Sequence, residues 1–159
     1  HRGAHRWRDL ALGQWLDHRF GLTVDDATHT LATHLYQNNA DVHFNGQESK
    51  RLVYGGHVIS LCRALSHHGL ANAELICAIN GGSHTHPCYA GDTIFSQSQI
   101  LDKWAIEGRE DLAAVRIRTL GFKNQNPKHP SEMISQQGSK TVYHPNLVLT
   151  LDYTALMVN

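Results

Sequence analysis

The pattern of apolar and polar residues divides the chain into two helices and five strands. The stretch 52–71, LVYGGHVISLCRALSHHGLA, is apolar around most of a helix that opens at Gly55 and Gly56 and ends at Gly69. A short helix without a continuous polar face belongs inside a protein. Glycine commonly ends a helix, so the pattern predicts one buried helix of about three turns.

The predicted strands surround this helix in the order of the chain. The segment 10–22 alternates loosely around Trp15 and Phe20 and predicts a first strand. Four more strands are predicted after the buried helix, at 73–80, 92–101, 112–122 and 146–158. Because their joins are hairpin-like, the pattern predicts an α+β fold in which one strongly bent antiparallel sheet wraps around a central buried helix.

The remaining segments are predicted from caps and turn formers. Thr23 is a candidate N-cap for a helix that runs to Tyr36. Its expected inner face consists of Ala27, Leu31, Ala32 and Leu35. Residues 37–46 predict a loop, and 47–51 a polar connection. Within a single domain over 1–159, we expect an N-terminal arm at 1–9, anchored by Trp7, and a long surface excursion of lower order at 123–145.

Composition narrows the classes of function. The 159 residues suffice for one domain with a core. The formal net charge of zero gives no support to a nucleic-acid or membrane partner, and no apolar run approaches a membrane span or a signal peptide. The three cysteines, Cys62, Cys77 and Cys88, lack paired spacing, so we expect buried free thiols in the cytoplasm. The thirteen histidines are scattered, which predicts no metal site.

Four segments, in the correct order, resemble the MaoC-like enoyl-CoA hydratases. HPCYAGDTI at 86–94 resembles the family signature P-V-F-x-G-D-T-L, and YQNNADVH at 36–43 resembles the hydratase motif that ends in D-x-N-P-I/V-H. Tyr54–Gly56 resembles the A-H-G that opens the central helix, and Asn124 and Gln125 resemble a later N-Q pair. Within the family, the sequence of these segments is similar to that of mesaconyl-CoA (2-methylfumaryl-CoA) hydratases, with itaconyl-CoA hydratases as near neighbours.

The resemblance implies a fold, an activity and partners. It implies the hot-dog fold and the addition or removal of water across the double bond of a short branched enoyl-CoA. A C5 dicarboxylic acyl-CoA such as mesaconyl-CoA is the expected substrate, with CoA as part of the substrate and no other cofactor. Some relatives carry two hot-dog halves in one chain. Because this sequence contains one such half, the resemblance implies a homodimer or a separate partner half.

The chain departs from the family motif at three positions. The catalytic aspartate of the family aligns with Asn38, and its asparagine and proline align with Ala40 and Asp41, whereas the histidine is present as His43. A carboxamide does not accept a proton near neutral pH, so Asn38 is expected to hold a water molecule or to orient His43. Whether Asp41 or Glu48 replaces the aspartate stays open.

The chemistry of hydration selects the candidate catalytic and binding residues. A base must take a proton from water, and His43, whose ordinary pKa is about 6.5, suits that task. A donor must stabilise the enolate oxygen, and a backbone N–H at the helix start suits it, with Gly56 as first choice and His57 as the alternate. A free substrate carboxylate needs a cation, for which Arg51 is the candidate. His84 and His86, on alternate residues, are further candidates for the pocket wall.

Two other functions stay open. A hot-dog acyl-CoA thioesterase uses the same scaffold and is favoured by the loss of the aspartate at Asn38. A non-catalytic half that binds acyl-CoA or completes a dimer is the third reading.

Overall fold

The computed structural model describes residues 3–46 and 50–159. The predicted polar connection at 47–51 therefore lies largely outside the described residues, and so does Glu48. The described chain contains helices α1 (Asp26–Leu35) and α2 (Gly55–Leu70) and strands β1 (Trp15–Asp17), β2 (Leu22–Thr23), β3 (Ala73–His84), β4 (Thr93–Ala105), β5 (Leu112–Lys123), β6 (Ile134–Gln137), β7 (Lys140–Tyr143) and β8 (Leu147–Val158).

One antiparallel sheet wraps around α2. Its strand order is β1, β4, β5, β8, β3, and β2 also pairs with β4. Register shifts interrupt the pairing of β3 with β8 and of β4 with β5, and such bulges bend a strand. The bent sheet around one helix confirms the predicted fold class.

The helix packs against the sheet at one very close contact. A Cβ atom added to Gly121 of β5 would lie 2.7 Å from Sγ of Cys62 on α2 and 3.1 Å from Cβ of Leu149 on β8. The hydroxyl of Ser96 on β4 donates to the carbonyl of Cys62 at 3.3 Å, which ties the same helical turn to a second strand. The core is built around this contact.

The helix α2 is less enclosed than its sequence predicts. Val58, Cys62 and Leu65 are buried, whereas Ala64 is exposed and Ile59 is half-buried. The backbone leaves helical geometry at His68 and Gly69, and Gly69 has φ of 109°, which agrees with its predicted role at the helix end. One side of the helix therefore lies outside the wrap of the sheet.

The first strand and the first helix differ from the predictions. The segment 10–22 contains only the short strands β1 and β2, and Phe20 between them is 66% exposed. Helix α1 is capped by Asp25, whose carboxylate accepts a hydrogen bond from the Thr28 N–H, because Thr23 is held in β2 by pairing with Thr93.

The predicted inner face of α1 is wrong. Leu31 and Leu35 are exposed, and the buried residues of this helix are His29 and Thr33. On this buried face His29 lies 3.2 Å from Asp26 and Thr33 donates to the carbonyl of His29, so both polar side chains find partners within the helix. Local hydrophobicity does not reveal such pairs, so the pattern selected the opposite face.

The terminal arm and the excursion both contact the sheet. The indole N–H of Trp7 donates to the carbonyl of Ala114 at 2.9 Å, and the Lys103 ammonium lies 4.2 Å from the centre of that ring system. The segment 123–145 is more ordered than its sequence indicates, because it forms a 3-10 helix at Pro130–Met133 and the β6–β7 hairpin. Met133 packs on the outer face of the sheet against Leu120, Phe122 and Leu147.

A polar chain crosses the core beside α2. His18 is fully buried, its Nδ1–H donates to the carbonyl of His68 at 2.7 Å, and its Nε2 accepts from the hydroxyl of Ser98 at 2.8 Å. Ser98 also bonds to Thr119 at 2.8 Å. Both ring nitrogens are therefore satisfied in the neutral form, and burial lowers the pKa of His18 below its ordinary 6.5.

We expect Gly121→Ala to lower the free energy of unfolding by about 1–3 kcal/mol, because the new methyl group forces the helix away from the sheet. The matched control is Gly81→Ala, since no atom lies within 4 Å of a Cβ at that strand position. Denaturant unfolding measures both variants. Equal stability of Gly121→Ala and Gly81→Ala would show that the helix–sheet contact has room to relax.

We also expect the free energy of unfolding to fall as the pH drops below about 6.5, since the unfolded chain then binds a proton that folded His18 refuses. In His18→Gln this slope decreases by up to about 1.4 kcal/mol per pH unit. His57 and His84, whose pKa values are also lowered, leave a residual slope of the same sign. Unfolding curves between pH 5 and 7.5 test this, with the exposed His67→Gln as control; an unchanged slope in His18→Gln would contradict it.

Candidate active site

A pocket of about 430 Å³ opens at the N-terminal end of α2. Its walls come from the 3-10 turn at Asp41–His43, the first turn of α2 and the segment that follows β3. The lining side chains and backbone belong to His43, Leu52, Val53, Gly55, Val58, His84, Thr85, His86, Pro87, Cys88 and Val148. The structure thus brings the predicted site residue His43 together with two others, His84 and His86, that lie about 40 residues further along the chain.

The ring of His43 is oriented by a hydrogen bond to the main chain. Its Nδ1–H donates to the carbonyl of Leu52 at 2.8 Å, which leaves Nε2 as the acceptor nitrogen. The N–H of Leu52 in turn donates to the carbonyl of Val42 at 2.9 Å, so the turn and the approach to α2 are joined twice. The edge of the Tyr54 ring, 6.0 Å away between centroids, packs on the imidazole.

The first turn of α2 presents backbone N–H groups without a side-chain cap. The N-cap residue is Tyr54, whose side chain makes no capping hydrogen bond. The N–H of His57, the alternate donor predicted from the sequence, donates to the carbonyl of Tyr54 at 2.9 Å. The first N–H groups of a helix have no partner within it, so Gly55 and Gly56 are the better donors. Of these two, Gly55 is the one in the pocket wall.

His84, the last residue of β3, and His86 occupy different positions in the wall. His86 donates from Nδ1 to the carbonyl of Leu147 at 2.9 Å. The ring of His84 lies directly over Gly55, because a Cβ atom there would overlap its Nε2 and lie 2.8 Å from Cδ2 and Cε1. Although part of His84 is open to solvent, lost hydration lowers its pKa.

Asn38 and Arg51 lie outside the described pocket walls. The carboxamide oxygen of Asn38 accepts from the N–H of Ala40 at 3.0 Å, which forms a local turn. The guanidinium of Arg51 forms an ion pair with Asp26 on α1 and faces a separate depression of about 270 Å³. His57, in the first turn of α2, is buried, and burial followed by the charge of His29 lowers the pKa of its imidazole.

Sequence reasoning missed two features of the site. The carbonyl of Leu52 orients His43, and no side-chain pattern reveals a backbone acceptor. The buried His29, bonded to Asp26 and thereby linked to Arg51, belongs to the face of α1 opposite to the one that was expected to be buried. The signal for this pair in the sequence was an acidic residue, Asp26, three positions before His29.

The signature segment has a structural role. The carboxylate of Asp92 accepts from the N–H of Tyr89 at 2.9 Å and from the side-chain amide of Asn124 at 2.7 Å. Gly91 before it has φ of 93°, a value that favours glycine. Two of the segments that carried the resemblance therefore meet in one turn, beside the pocket.

The thiols of the core are poor nucleophiles. Burial raises the pKa of Cys62 and of Cys88 to about 12, although Cys88 borders the pocket. Cys77, expected to be buried, is exposed on β3. Within residues 3–46 and 50–159, no three His, Cys, Asp or Glu side chains converge as a metal site requires, and no helix is long and apolar enough to cross a membrane.

Comparison with known proteins supports the resemblance, although no family model matches the chain. The chain is 48% identical over 164 residues to a β-methylmalyl-CoA dehydratase of Chloroflexus aurantiacus and 46% identical over 156 residues to a mesaconyl-CoA hydratase of Cereibacter sphaeroides. These alignments cover 99% and 96% of this chain but 46% and 44% of the relatives. The chain therefore spans about half the length of both.

Solved structures give the same picture. A putative MaoC domain protein dehydratase from Chloroflexus aurantiacus superimposes with a TM-score of 0.88 at 47% identity, over 99% of this chain and 45% of that one. A MaoC-like dehydratase from Rhodospirillum rubrum shares the fold with a TM-score of 0.71 at 16% identity, over 98% of both chains. A Mycobacterium tuberculosis protein described as a double hot-dog fold matches over 91% of this chain and 38% of its own, with a TM-score of 0.65 at 23% identity. On sequence and fold together, this chain belongs to the MaoC-like family of hot-dog proteins.

Proposed function

We propose that the chain is a hydratase or dehydratase that adds or removes water across the double bond of a short branched enoyl-CoA. The observation that carries the proposal is one pocket that contains both the oriented imidazole of His43 and the uncapped start of α2 at Gly55. The two relatives near 47% identity, named for mesaconyl-CoA and β-methylmalyl-CoA, support a C5 dicarboxylic acyl-CoA as the substrate. CoA is part of that substrate, and the proposal includes no other cofactor.

The reaction needs one proton carrier and one oxyanion site. As the oxygen of a water molecule bonds to the β-carbon, Nε2 of His43 takes a proton from that water. The π electrons of the double bond move towards the thioester, whose oxygen becomes negative and accepts from N–H groups of Gly55 and Gly56. The His43 imidazolium then returns its proton to the α-carbon, so that the net addition is one water molecule. One oxyanion donor contributes about 3–4 kcal/mol to lowering the barrier.

Asn38 supports this chemistry only indirectly. Its oxygen already accepts from Ala40 at 3.0 Å, so it shapes the loop that carries His43. In this proposal His43 carries the proton in both directions. Asp41, at the start of the same 3-10 turn, is exposed and stays an alternative acid.

A second hot-dog half completes the assembly in this proposal. Strand β3 is exposed along nearly its whole length, and Leu75 and Ile79 on it are 58% and 71% exposed. The exposed Leu31 and Leu35 of α1 form a further apolar surface. The relatives are about twice as long as this chain, which supports a second half of similar size. The cytoplasmic location stays a prediction.

Thioester hydrolysis is the second candidate function. It is favoured because Asn38 aligns with the catalytic aspartate of the hydratase motif. A non-catalytic acyl-CoA-binding half is the third. Loss of enoyl-thioester absorbance without free thiol indicates hydration, whereas release of the CoA thiol indicates hydrolysis. If neither occurs in an assembly whose mass is that of a dimer, the third reading holds.

With an accepted enoyl-CoA, we expect His43→Ala to lower kcat by about 100- to 10,000-fold, the usual contribution of general acid–base catalysis. Unfolding by denaturant checks that the fold is retained. His67→Ala, on the exposed end of α2, is the matched control and keeps wild-type turnover. Near-normal turnover of His43→Ala would remove this residue from the mechanism.

We expect Arg51→Ala to raise KM for mesaconyl-CoA by about tenfold more than for crotonyl-CoA, if its guanidinium leaves Asp26 to bind the free carboxylate. Asp26→Asn is the informative partner variant, because it frees Arg51 without removing it and should lower the KM for mesaconyl-CoA. Steady-state kinetics with both esters measure the effect. Equal changes in KM for the two esters would show that Arg51 acts only through its structural ion pair with Asp26.

A further inference from the structure

The ring of His84 lies close against Gly55 at the start of α2. A Cβ atom on Gly55 would overlap Nε2 of His84, so this glycine is the residue that admits the ring. The overlap places the nitrogen end of the imidazole, rather than its apolar edge, at the first residue of the helix. That residue also carries one of the N–H groups assigned above to the thioester oxygen.

The environment of His84 favours its neutral form. Lost hydration lowers its pKa, and the positive end of the helix dipole disfavours a second positive charge there. In residues 3–46 and 50–159, no carboxylate lies within ion-pair distance of this ring. A neutral imidazole is a poor ligand for the free carboxylate of a substrate.

A neutral imidazole beside a helix N-terminus can polarise a carbonyl group. It donates one N–H to an oxygen that gains negative charge, and it needs no change of protonation to do so. His86 lacks this geometry, because its Nδ1 is bonded to the carbonyl of Leu147 and no glycine contact places its ring at the helix. The two histidines of the wall thus differ in what they can reach.

We propose that Nε2–H of His84 donates to the thioester oxygen as the enolate forms, together with the N–H groups of the helix start. His84 is then a catalytic residue, and Gly55 is the positioning residue that allows its approach. This inference rests on the proposed hydratase function and adds to it a side-chain member of the oxyanion site. It also assigns separate roles to two histidines that the sequence placed together.

The first test compares the two histidines with crotonyl-CoA, which has no free carboxylate. His84→Ala should lower kcat by about 100- to 1,000-fold with KM changed by less than about threefold, because the lost donor acts on developing charge. His84→Gln, which keeps an N–H donor, should recover at least about tenfold of that loss. His86→Ala, the matched control, should lose less than about tenfold.

The second test is a double-mutant cycle. Gly55→Ala should lower kcat by displacing the ring, and the same change should cost at least about fivefold less in the His84→Ala background. If the two effects multiply instead, Gly55 acts independently of His84 and the positioning role is wrong.

The third test measures the polarisation of the bound thioester carbonyl in the absence of turnover. The probe is crotonyl-CoA with ¹³C at the thioester carbonyl, bound to the His43→Ala variant and measured by infrared difference spectroscopy. The bound C=O stretch should shift to lower wavenumber than in solution, and His84→Ala should remove part of this shift while His86→Ala keeps it. A merely structural His84 would leave the shift unchanged.

The outcomes distinguish a failure of the role of His84 from a failure of the proposed hydratase function. If wild type hydrates enoyl-CoA and His43→Ala abolishes turnover, but His84→Ala keeps kcat within threefold, this inference is overturned and the hydratase assignment stands. If wild type hydrates no enoyl-CoA, both are overturned.

Discussion

The contact between α2 and the sheet at Gly121 and Cys62 sets the position of everything that surrounds the pocket. Here the helix and sheet approach so closely that a single methyl group does not fit, and Ser96 bonds to the helix backbone in the same turn. Close-packed interiors transmit such constraints because they contain few voids. The depth of the helix in the sheet therefore fixes where its first turn emerges.

The first turn of α2 borders a pocket only because other segments of the chain converge on it. The 3-10 turn of His43 reaches it through two hydrogen bonds with Leu52, and the end of β3 brings His84 onto Gly55. Both contacts join a polar side chain to main chain, so they need no complementary pattern of charges. The pocket is thus formed by backbone geometry more than by paired side chains.

The same molecule shows surfaces that a lone chain does not normally expose. The strand β3 and one face of α1 carry large apolar side chains open to solvent, and one side of α2 lies outside the sheet. These features coincide with a chain about half as long as its relatives. The strand β3 also forms one edge of the sheet, and an edge strand presents unpaired backbone N–H and C=O groups.

The sequence by itself determined the element types and indicated much of the candidate site. Periodicity identified α2 and the four long strands, and the motif residues identified His43 and the glycines at the helix start. Only the tertiary structure decided which way α1 faces, how the excursion at 123–145 folds back on the sheet, and which of Arg51, His84 and His86 reach the pocket. The physical reason is that periodicity records the local balance of apolar and polar surface. The direction of a single imidazole or guanidinium depends instead on distant partners, such as the Asp26 carboxylate for Arg51 and the space left by Gly55 for His84.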